Sequence, residues 1–191
     1  MADNSNMPFG FRAIRNPAGT APLAQVLEAT KTANIYAGMP VMYNASALVV
    51  GWTMTVGTFS SCIGIAATGR KTTDTARSVV VNISRDQEYE VQLATTGATA
   101  LLTTLAALVY TSGNRYRVTE ITMITGNTTT LESNTALDDA RPAAANVSGT
   151  IRPFIVTGFS PIMGQDITGA YARVICRIDP QNMAQYQTKS I

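Results

Sequence analysis

The sequence contains no histidine among its 191 residues. This absence excludes Ser-His-Asp and Cys-His catalytic arrangements, and it removes the commonest transition-metal ligand and near-neutral acid or base. The two cysteines, Cys62 and Cys176, lack the CxxC spacing of a zinc site. The usual phosphate-binding loops, GxxxxGK[ST] and GxGxxG after a strand, are also absent. The sequence therefore predicts a protein that is not an enzyme and that binds neither a metal nor a cofactor.

Charged residues are scarce as well, at 14% of the chain, and the net charge is +2. A typical domain is about a quarter charged, so neutral Thr, Ser, Asn and Ala must cover much of this surface. Weak repulsion between copies favours self-association, which predicts a homo-oligomer, either a dimer or a trimer. The basic residues are scattered, and no run of them can neutralise several phosphates. Nucleic-acid binding is therefore not expected.

Long apolar runs and leader segments are missing too. No uninterrupted apolar run approaches the ~20 residues that cross a bilayer, and the start MADNSNMPFGFRAIRN lacks the regions of a signal peptide. The protein is therefore expected to be made in the cytoplasm and to contact no membrane. Cys62 and Cys176 both lie among apolar residues, which predicts two buried small hydrophobic side chains. A disulfide would require the fold to bring them together.

The first part of the chain, residues 1–22, is predicted to be an extended N-terminal arm. Three prolines and two glycines interrupt it, and each proline fixes φ and removes a hydrogen-bond donor. Phe9, Phe11 and Ile14 are apolar at near-alternating spacing, so this arm needs something to pack on. Residues 23–191 show no break in composition and are predicted to form one β-rich body domain.

Short apolar runs separated by turn residues predict about ten strands in the body. Alternation is plainest in residues 78–84, 88–93 and 170–178. In each run one face is apolar: Val79, Val81 and Ile83; Tyr89, Val91 and Leu93; Ala172, Val174, Cys176 and Ile178. The opposite face of the second run carries Glu88, Glu90 and Gln92, which are expected to point to water or to a partner.

The predicted fold is all-β: a single antiparallel β-barrel or a jelly-roll-like sandwich, with the extended N-terminal arm and at most a short helix. The short helix is assigned to residues 99–110, TALLTTLAALVY, where the leucines fall at helical spacing although the threonines oppose a long helix. The Pro/Ala-rich residues 140–153 are predicted to be a surface connection.

Two acidic groups are the only candidates for paired-carboxylate chemistry or a cation site. Glu88 and Glu90 could serve a cell-wall hydrolase if a cleft held them at the right separation. Asp138 and Asp139 could bind Ca²⁺ through loop oxygens, but they lack the calcium-loop pattern. A solvated strand edge or turn is the preferred interpretation of both groups.

Five segments of the chain together suggest a known family. They are NMPFGFRAIR at 6–15, YAGMPV at 36–41, EYEVQ at 88–92, GNTTT followed by ALD within 126–138, and FIVTGF with ARVI within 154–175. In this order they resemble the NPFGFRPVRH opening, the ytGDPV and vFEIQ strands, the GsTTTGrSgmeLD loop and the closing strands of a family of tailed-bacteriophage head proteins, the structural cement, decoration or minor capsid proteins. The chain departs from that pattern at Ala13, Asn16 and Leu131-Glu132.

The resemblance implies a non-enzymatic capsid decoration protein. Such a protein is made in the host bacterial cytoplasm, binds the outer surface of the phage head in many copies, and stabilises contacts between major capsid protein subunits. We hypothesise that Phe9, Phe11, Arg12, Ile14 and Arg15 dock on the capsid, because aromatic and arginine side chains often dominate interface energies. The alternative for Phe9 and Phe11 is that they fold back onto their own body.

Two further functions fit the composition. One is a structural protein of the tail or baseplate. The other is a receptor- or carbohydrate-binding module of the virion, with Trp52, Tyr110 and Tyr116 as stacking platforms, although a core position is the preferred interpretation of Trp52.

Overall fold

The computed structural model describes residues 9–15, 23–52, 62–84, 86–94, 116–118, 126–138, 154–161, 163 and 171–179. Within these ranges the chain forms eleven β-strands and no helix. The strands are β1 (Arg12–Arg15), β2 (Ala24–Glu28), β3 (Pro40–Tyr43), β4 (Val49–Gly51), β5 (Cys62–Ala66), β6 (Ser78–Asn82), β7 (Glu88–Ala94), β8 (Tyr116–Val118), β9 (Leu137–Asp138), β10 (Phe154–Phe159) and β11 (Arg173–Ile178).

Six strands form the first sheet, which we call sheet A, in the order β1-β7-β11-β10-β8, with β9 also paired to β7. Neighbouring strands are antiparallel except β7 and β9, which are parallel. Strand β1 pairs Arg12 with Glu90 and Arg15 with Glu88. Part of the predicted arm is thus an edge strand of sheet A. The predicted boundary at residue 22 lies within residues 16–22, outside the described ranges.

Five strands form the second sheet, sheet B, in the order β2-β6-β5-β3-β4, and every pair is antiparallel. Beyond the end of β2, a parallel bridge joins Ala29 to Val49 of β4. The N–H of Thr30 donates to the carbonyl of Val49 at 2.9 Å. Sheet B therefore curves until its two edge strands approach each other at one end.

The main core is shared by the two sheets. Sheet A contributes most of its side chains, including Tyr89, Phe154 and Cys176, and sheet B contributes Cys62 and Ile65, with Trp52 beside β4. A second cluster, which we call the sheet B core, packs on the other face of sheet B. It consists of Ala29, Ile35, Val41, Val49, Ile63, Ala66, Val79, Val81 and Ile83, with Leu27 at its margin.

The all-β prediction is confirmed for the described part of the chain. The apolar faces predicted in residues 78–84, 88–93 and 170–178 are confirmed as well, because their side chains are buried in the two clusters. Neither sheet closes on itself, so the described strands do not form a single barrel. The predicted helix at 99–110 and the connection at 140–153 lie outside the described residues.

Candidate docking surface

Phe11, the second aromatic residue of the predicted docking set, lies in the main core. Its side chain is 3% exposed. The ring stacks on Phe154 with centroids 4.4 Å apart, and it meets Tyr89 edge-on at 6.2 Å, two arrangements that aromatic pairs favour. This position differs from the docking hypothesis. A buried ring has no free surface for a partner, which leaves the other four members of the set.

The backbone before Phe11 is held where two other segments meet it. The N–H of Phe11 donates to the carbonyl of Gly38 at 2.8 Å. Gly10 has φ +72°, and a Cβ there would lie 2.7 Å from the carbonyl oxygen of Gly38 and 2.8 Å from the Cβ of Ser133. Only glycine fits such a crossing at positive φ. The glycine between the two phenylalanines is thus required by the fold.

Three of the segments that carry the family resemblance converge at this crossing. Ala37 donates its N–H to the carbonyl of Leu131 and accepts a bond from the N–H of Ser133, both at 2.8 Å. Gly10 and Phe11 lie against the neighbouring Gly38. Segments 6–15, 36–41 and 126–138 therefore share a structural role, because their described residues hold β1 against sheet A.

Three other members of the docking set, Phe9, Arg12 and Ile14, lie at or near the surface. Arg12, Ala13 and Ile14 are exposed, Ile14 to 41%, and Arg15 ends β1 opposite Glu88. Phe9 is half-buried, and the guanidinium of Arg173 stands 4.8 Å from its ring centroid. This is a cation–π distance. The side chains of Arg12, Ala13 and Ile14 alternate between the two faces of β1 and are exposed on both faces, as expected for the open edge of a sheet.

The acidic face of β7 is buried, which corrects the expectation that it points to water or to a partner. Glu88, Glu90 and Gln92 are only 5%, 6% and 1% exposed. The hydroxyl of Thr157 donates to Glu88 Oε1 at 3.2 Å, and the hydroxyl of Ser160 donates to Glu90 Oε1. The physical reason is strand order: β7 lies between β1 and β11, so Glu90 has Arg12 beside it on one neighbouring strand and Ile175 beside it on the other.

A cleft of about 430 Å³ opens beside Glu90 on the outer face of sheet A. Arg12 and Arg173 line it together with Ile14, Ile175 and Pro161, and Glu90 and Ser160 complete its wall. Arg12 and Ile14 are exposed whereas Glu90 is buried. The accessible part of the cleft therefore combines the cation of Arg12 with the apolar side chains of Ile14 and Pro161, a combination that suits an acidic segment with apolar neighbours.

Cys62 and Cys176 are both buried and both free, as predicted for small hydrophobic side chains. Burial raises the pKa of the Cys62 thiol to about 12, against smaller opposing effects of backbone hydrogen bonds. Burial also raises the pKa of Cys176 well above its ordinary value, with a contribution from Glu88. The pKa of Tyr89 is raised by burial and by both cysteines nearby. These thiols are protonated and inert at neutral pH.

The structure also places some of the residues considered as stacking platforms or as a calcium site. Trp52 is 2% exposed and meets Phe154 at 6.2 Å, so the preferred core position is confirmed. Tyr116 belongs to β8 and Asp138 to β9. Tyr110 and Asp139 lie outside the described residues.

Arg70 is a structural residue that the sequence interpretation missed. It is 2% exposed although it stands in a polar loop. Its Nε donates to the carbonyl of Ala76 at 3.1 Å, and its Nη1 donates to the carbonyl of Thr30. The side chain thereby links the segment after β2 to the loop before β6. An arginine among lysine and threonine residues gives no sequence signal for such a role.

In the part of the chain that the structure describes, the cysteine and acidic side chains form no group of three that could hold a metal ion. None of its segments is a helix of the length and hydropathy that a membrane crossing requires. Comparisons of the chain with protein-family models, with curated proteins and with solved structures find no match.

Proposed function

We propose that this chain is a non-enzymatic capsid decoration protein of a tailed bacteriophage. It binds the outer surface of the phage head and stabilises contacts between subunits of the major capsid protein. The docking surface is the outer face of β1 together with the cleft beside Glu90. The observation that carries the proposal is an exposed edge strand, Arg12–Ile14, fixed to the body by a buried aromatic ring immediately before it.

An anchored edge strand supports docking because little ordering is lost on binding. The stacked Phe11 ring and the Gly10–Gly38 crossing hold β1 in place before a partner arrives. A preorganised surface retains more of its contact energy than a segment that must order on binding. Phe11 thus supports docking indirectly, by positioning Arg12 and Ile14.

The chemistry of the cleft supports a protein partner. Arg12 offers an exposed guanidinium group that can bind a carboxylate through two hydrogen bonds, and the exposed Ile14 and Pro161 offer apolar contact. Arginine next to apolar side chains is typical of the residues that contribute most to protein interfaces. The partner segment is expected to carry an acidic residue flanked by apolar ones.

The resemblance of five collinear segments to phage cement proteins, together with the low surface charge, supports the assignment to a virion. A shell offers many identical sites, so contacts from one chain to two neighbouring subunits reinforce each other through effective concentration. The same contacts clamp the subunits against the pressure of packaged DNA.

The test is co-sedimentation of the purified chain with expanded and unexpanded heads that lack it, with the bound copies counted per shell. Binding is expected to saturate at a number of copies that matches a set of symmetry-related sites on the shell. A preference for one form of the shell would show whether the protein binds before or after head expansion. Absence of binding to both forms would contradict the proposal.

Charge reversal locates the surface in the same assay. Arg12→Glu is expected to reduce the bound copies at least about tenfold, since it removes a charge-assisted contact and repels an acidic partner. Lys31→Glu is the matched control. Lys31 is exposed and lies outside the cleft, and its substitution changes the net charge by the same amount as Arg12→Glu. Equal binding by both variants would exclude this surface. Phe11→Ala is unsuitable as a docking variant, because it removes a core side chain.

A further inference from the structure

The guanidinium of Arg70 is a buried cation whose hydrogen bonds use only part of it. Its Nε donates to the carbonyl of Ala76 and its Nη1 to the carbonyl of Thr30, and both acceptors are neutral. Its Nη2 is buried too, and this atom has no hydrogen-bond partner among the described residues. Burying a charge without a counter-ion is costly. An anion at Nη2 would therefore stabilise this arrangement.

The free donor of Arg70 lies at the inner end of a cleft. A guanidinium is a flat fork in which Nη2 stands next to Nε on one edge. Because Nε bonds to the carbonyl of Ala76, this edge of the fork points toward Ala76. Arg70 and Ala76 both line a cleft of about 540 Å³ in the loop between β5 and β6. Nη2 is thus directed toward the cleft and is not used in holding the loop.

The rest of the cleft carries hydroxyl groups and one carboxylate. Thr73, Thr75 and Ser78 line it and are exposed. Asp74 lines it as well, and its Oδ2 accepts a backbone N–H at 2.8 Å, which leaves Oδ1 for a ligand. The loop between β5 and β6 contains three basic residues and one acidic residue, a net charge of +2. A buried cation, hydroxyl donors and a positive loop together favour a small oxyanion.

The loop is fixed in place before any ligand arrives. Arg70 and Ile35 exchange two backbone hydrogen bonds, of 2.7 and 2.9 Å. The N–H of Thr72 donates to Oδ1 of Asn34 at 2.8 Å. These bonds tie the loop to the segment that follows β2. A preorganised site loses little free energy in ordering when it binds.

We propose that this cleft binds inorganic phosphate. One phosphate oxygen accepts hydrogen bonds from Nη2 of Arg70, and the others accept from the hydroxyls of Thr73, Thr75 and Ser78. Bonds from a guanidinium to phosphate are charge-assisted and about twice as strong as neutral ones. The buried arginine supplies the positive charge, so the site needs no glycine-rich loop. It shares no residue with the proposed docking surface and does not depend on the proposed function.

Asp74 makes the site selective for phosphate over sulfate. An ionised carboxylate only accepts hydrogen bonds, so an anion beside it must bring a proton. Inorganic phosphate keeps a proton at neutral pH, whereas sulfate keeps none. Oδ1 of Asp74 therefore accepts the P–OH group of phosphate and repels the bare oxygen of sulfate. Phosphate is expected to bind at least about tenfold more tightly than sulfate, the worth of one hydrogen bond to a charged group.

Isothermal titration calorimetry of the full chain tests the site. Sodium phosphate and sodium sulfate are titrated separately at neutral pH and equal ionic strength, in a chloride buffer. Phosphate is expected to saturate a single site per chain and sulfate to bind much more weakly. Heat that does not saturate with phosphate would overturn the proposal. Equal affinity for both anions would show non-specific ion binding only and would overturn it as well.

Thr75→Val locates the site without disturbing the core, because it removes an exposed hydroxyl and keeps the shape of the side chain. It is expected to weaken phosphate binding about three- to tenfold. Thr128→Val is the matched control, since Thr128 is also exposed and lies outside the cleft. It is expected to bind phosphate as the wild type does. Equal affinities of the two variants would exclude this cleft.

Two further variants separate the roles of the charged groups. Arg70→Lys keeps the charge and removes Nη2, and it is expected to reduce phosphate affinity at least about tenfold. Circular dichroism shows whether this variant is folded, and Thr75→Val keeps the proposal testable if it is not. Asp74→Asn is expected to raise the affinity for sulfate to that for phosphate. An unchanged preference for phosphate in Asp74→Asn would overturn the role of Asp74.

Discussion

Phe11 illustrates what spacing alone leaves undetermined at the residue scale. The alternation of Phe9, Phe11 and Ile14 predicts that apolar groups of the arm need a packing surface. It does not say whether that surface belongs to the same chain or to a partner. The structure places Phe11 against Phe154 and Tyr89 and leaves Ile14 exposed. The difference comes from contacts with residues about 80 and 140 positions away, which no local pattern encodes.

Glu88 and Glu90 show a related limit. Alternation placed them correctly on the face opposite Tyr89 and Val91, but their exposure depends on what lies beside and above β7. Because β7 is an interior strand, these carboxylates are buried and accept hydrogen bonds from Thr157 and Ser160. Alternation along the sequence identifies which side chains share a face of a strand, whereas the strands beside it determine whether that face is exposed to solvent.

The raised pKa of Cys62 predicts how stability depends on pH. Below pH 9.0, the ordinary pKa, the thiol is protonated in both the folded and the unfolded chain. Between pH 9.0 and about 12, the unfolded chain releases this proton and the folded chain retains it. The free energy of unfolding therefore falls as pH rises, by up to about 1.4 kcal/mol per pH unit for this thiol.

Urea unfolding at pH values on both sides of 9.0 measures this fall. Cys62→Ala is expected to be less stable at neutral pH, because it leaves a small cavity, and to lose less stability in alkali than the wild type. Cys176 acts in the same direction and remains in both proteins, so the comparison isolates one thiol. Parallel pH profiles for the two proteins would contradict the prediction.

At the element scale, β5 departs from simple alternation because it contains a bulge. Val41 pairs with Gly64 and Met42 with Cys62, so Ile63 is the extra residue. As a result, Cys62 and Ile65 face the main core whereas Ile63 and Ala66 face the sheet B core. The run CIGIA, buried along its whole length, becomes the wall between the two clusters.

Gly64 is predicted to be essential to this bulge. Its φ is +154°, and a Cβ there would lie 2.0 Å from the carbonyl oxygen of Asn82. Gly64→Ala must either move β6 or break the bulge, and we expect it to lower the free energy of unfolding by about 2–5 kcal/mol. Thermal or urea unfolding measures the loss.

Gly158→Ala is the matched control within a strand. A Cβ at Gly158 has no atom within 4 Å, and this glycine also follows a shift of register, between β10 and β11. We expect Gly158→Ala to change the free energy of unfolding by less than about 1 kcal/mol, since alanine also restricts the unfolded chain. Similar losses in both variants would show that glycine is needed for flexibility and not for the close approach.

The existence of strands follows from the sequence more readily than their order does. Turn residues and alternation mark individual runs such as β6, β7 and β11. The pairing of β1 with β7 and the separation into two sheets depend on contacts between distant segments. The Gly10–Gly38–Ser133 crossing is of the same kind, because the three segments that contain these residues reveal their role only when they meet.

At the scale of the whole molecule, the main core includes side chains from both sheets. We therefore predict a single cooperative unfolding transition. Trp52 reports on the end of sheet B and Cys176 on sheet A, and both contribute to this cluster. Tryptophan fluorescence and thiol reactivity, measured along one urea gradient, are expected to give coincident midpoints.

The control is far-ultraviolet circular dichroism, which reports on all strands together. Its midpoint should match the other two. Exposure of Cys176 at a lower urea concentration than the fluorescence change of Trp52 would mean that sheet A opens first, and that the shared cluster does not couple the sheets.

The pairing of β1 with β7 also determines when the N-terminal strand can join sheet A during folding. The strand at Arg12–Arg15 leaves the ribosome about 80 residues before its partner in β7. Closing a loop of that size costs little more in stability than closing one half as long, but it slows folding. Phe11 enters the core only with this step. Until then the edge of β7 and the rings of Tyr89 and Phe154 are uncovered, and this is the interval in which the nascent chain is most exposed to aggregation.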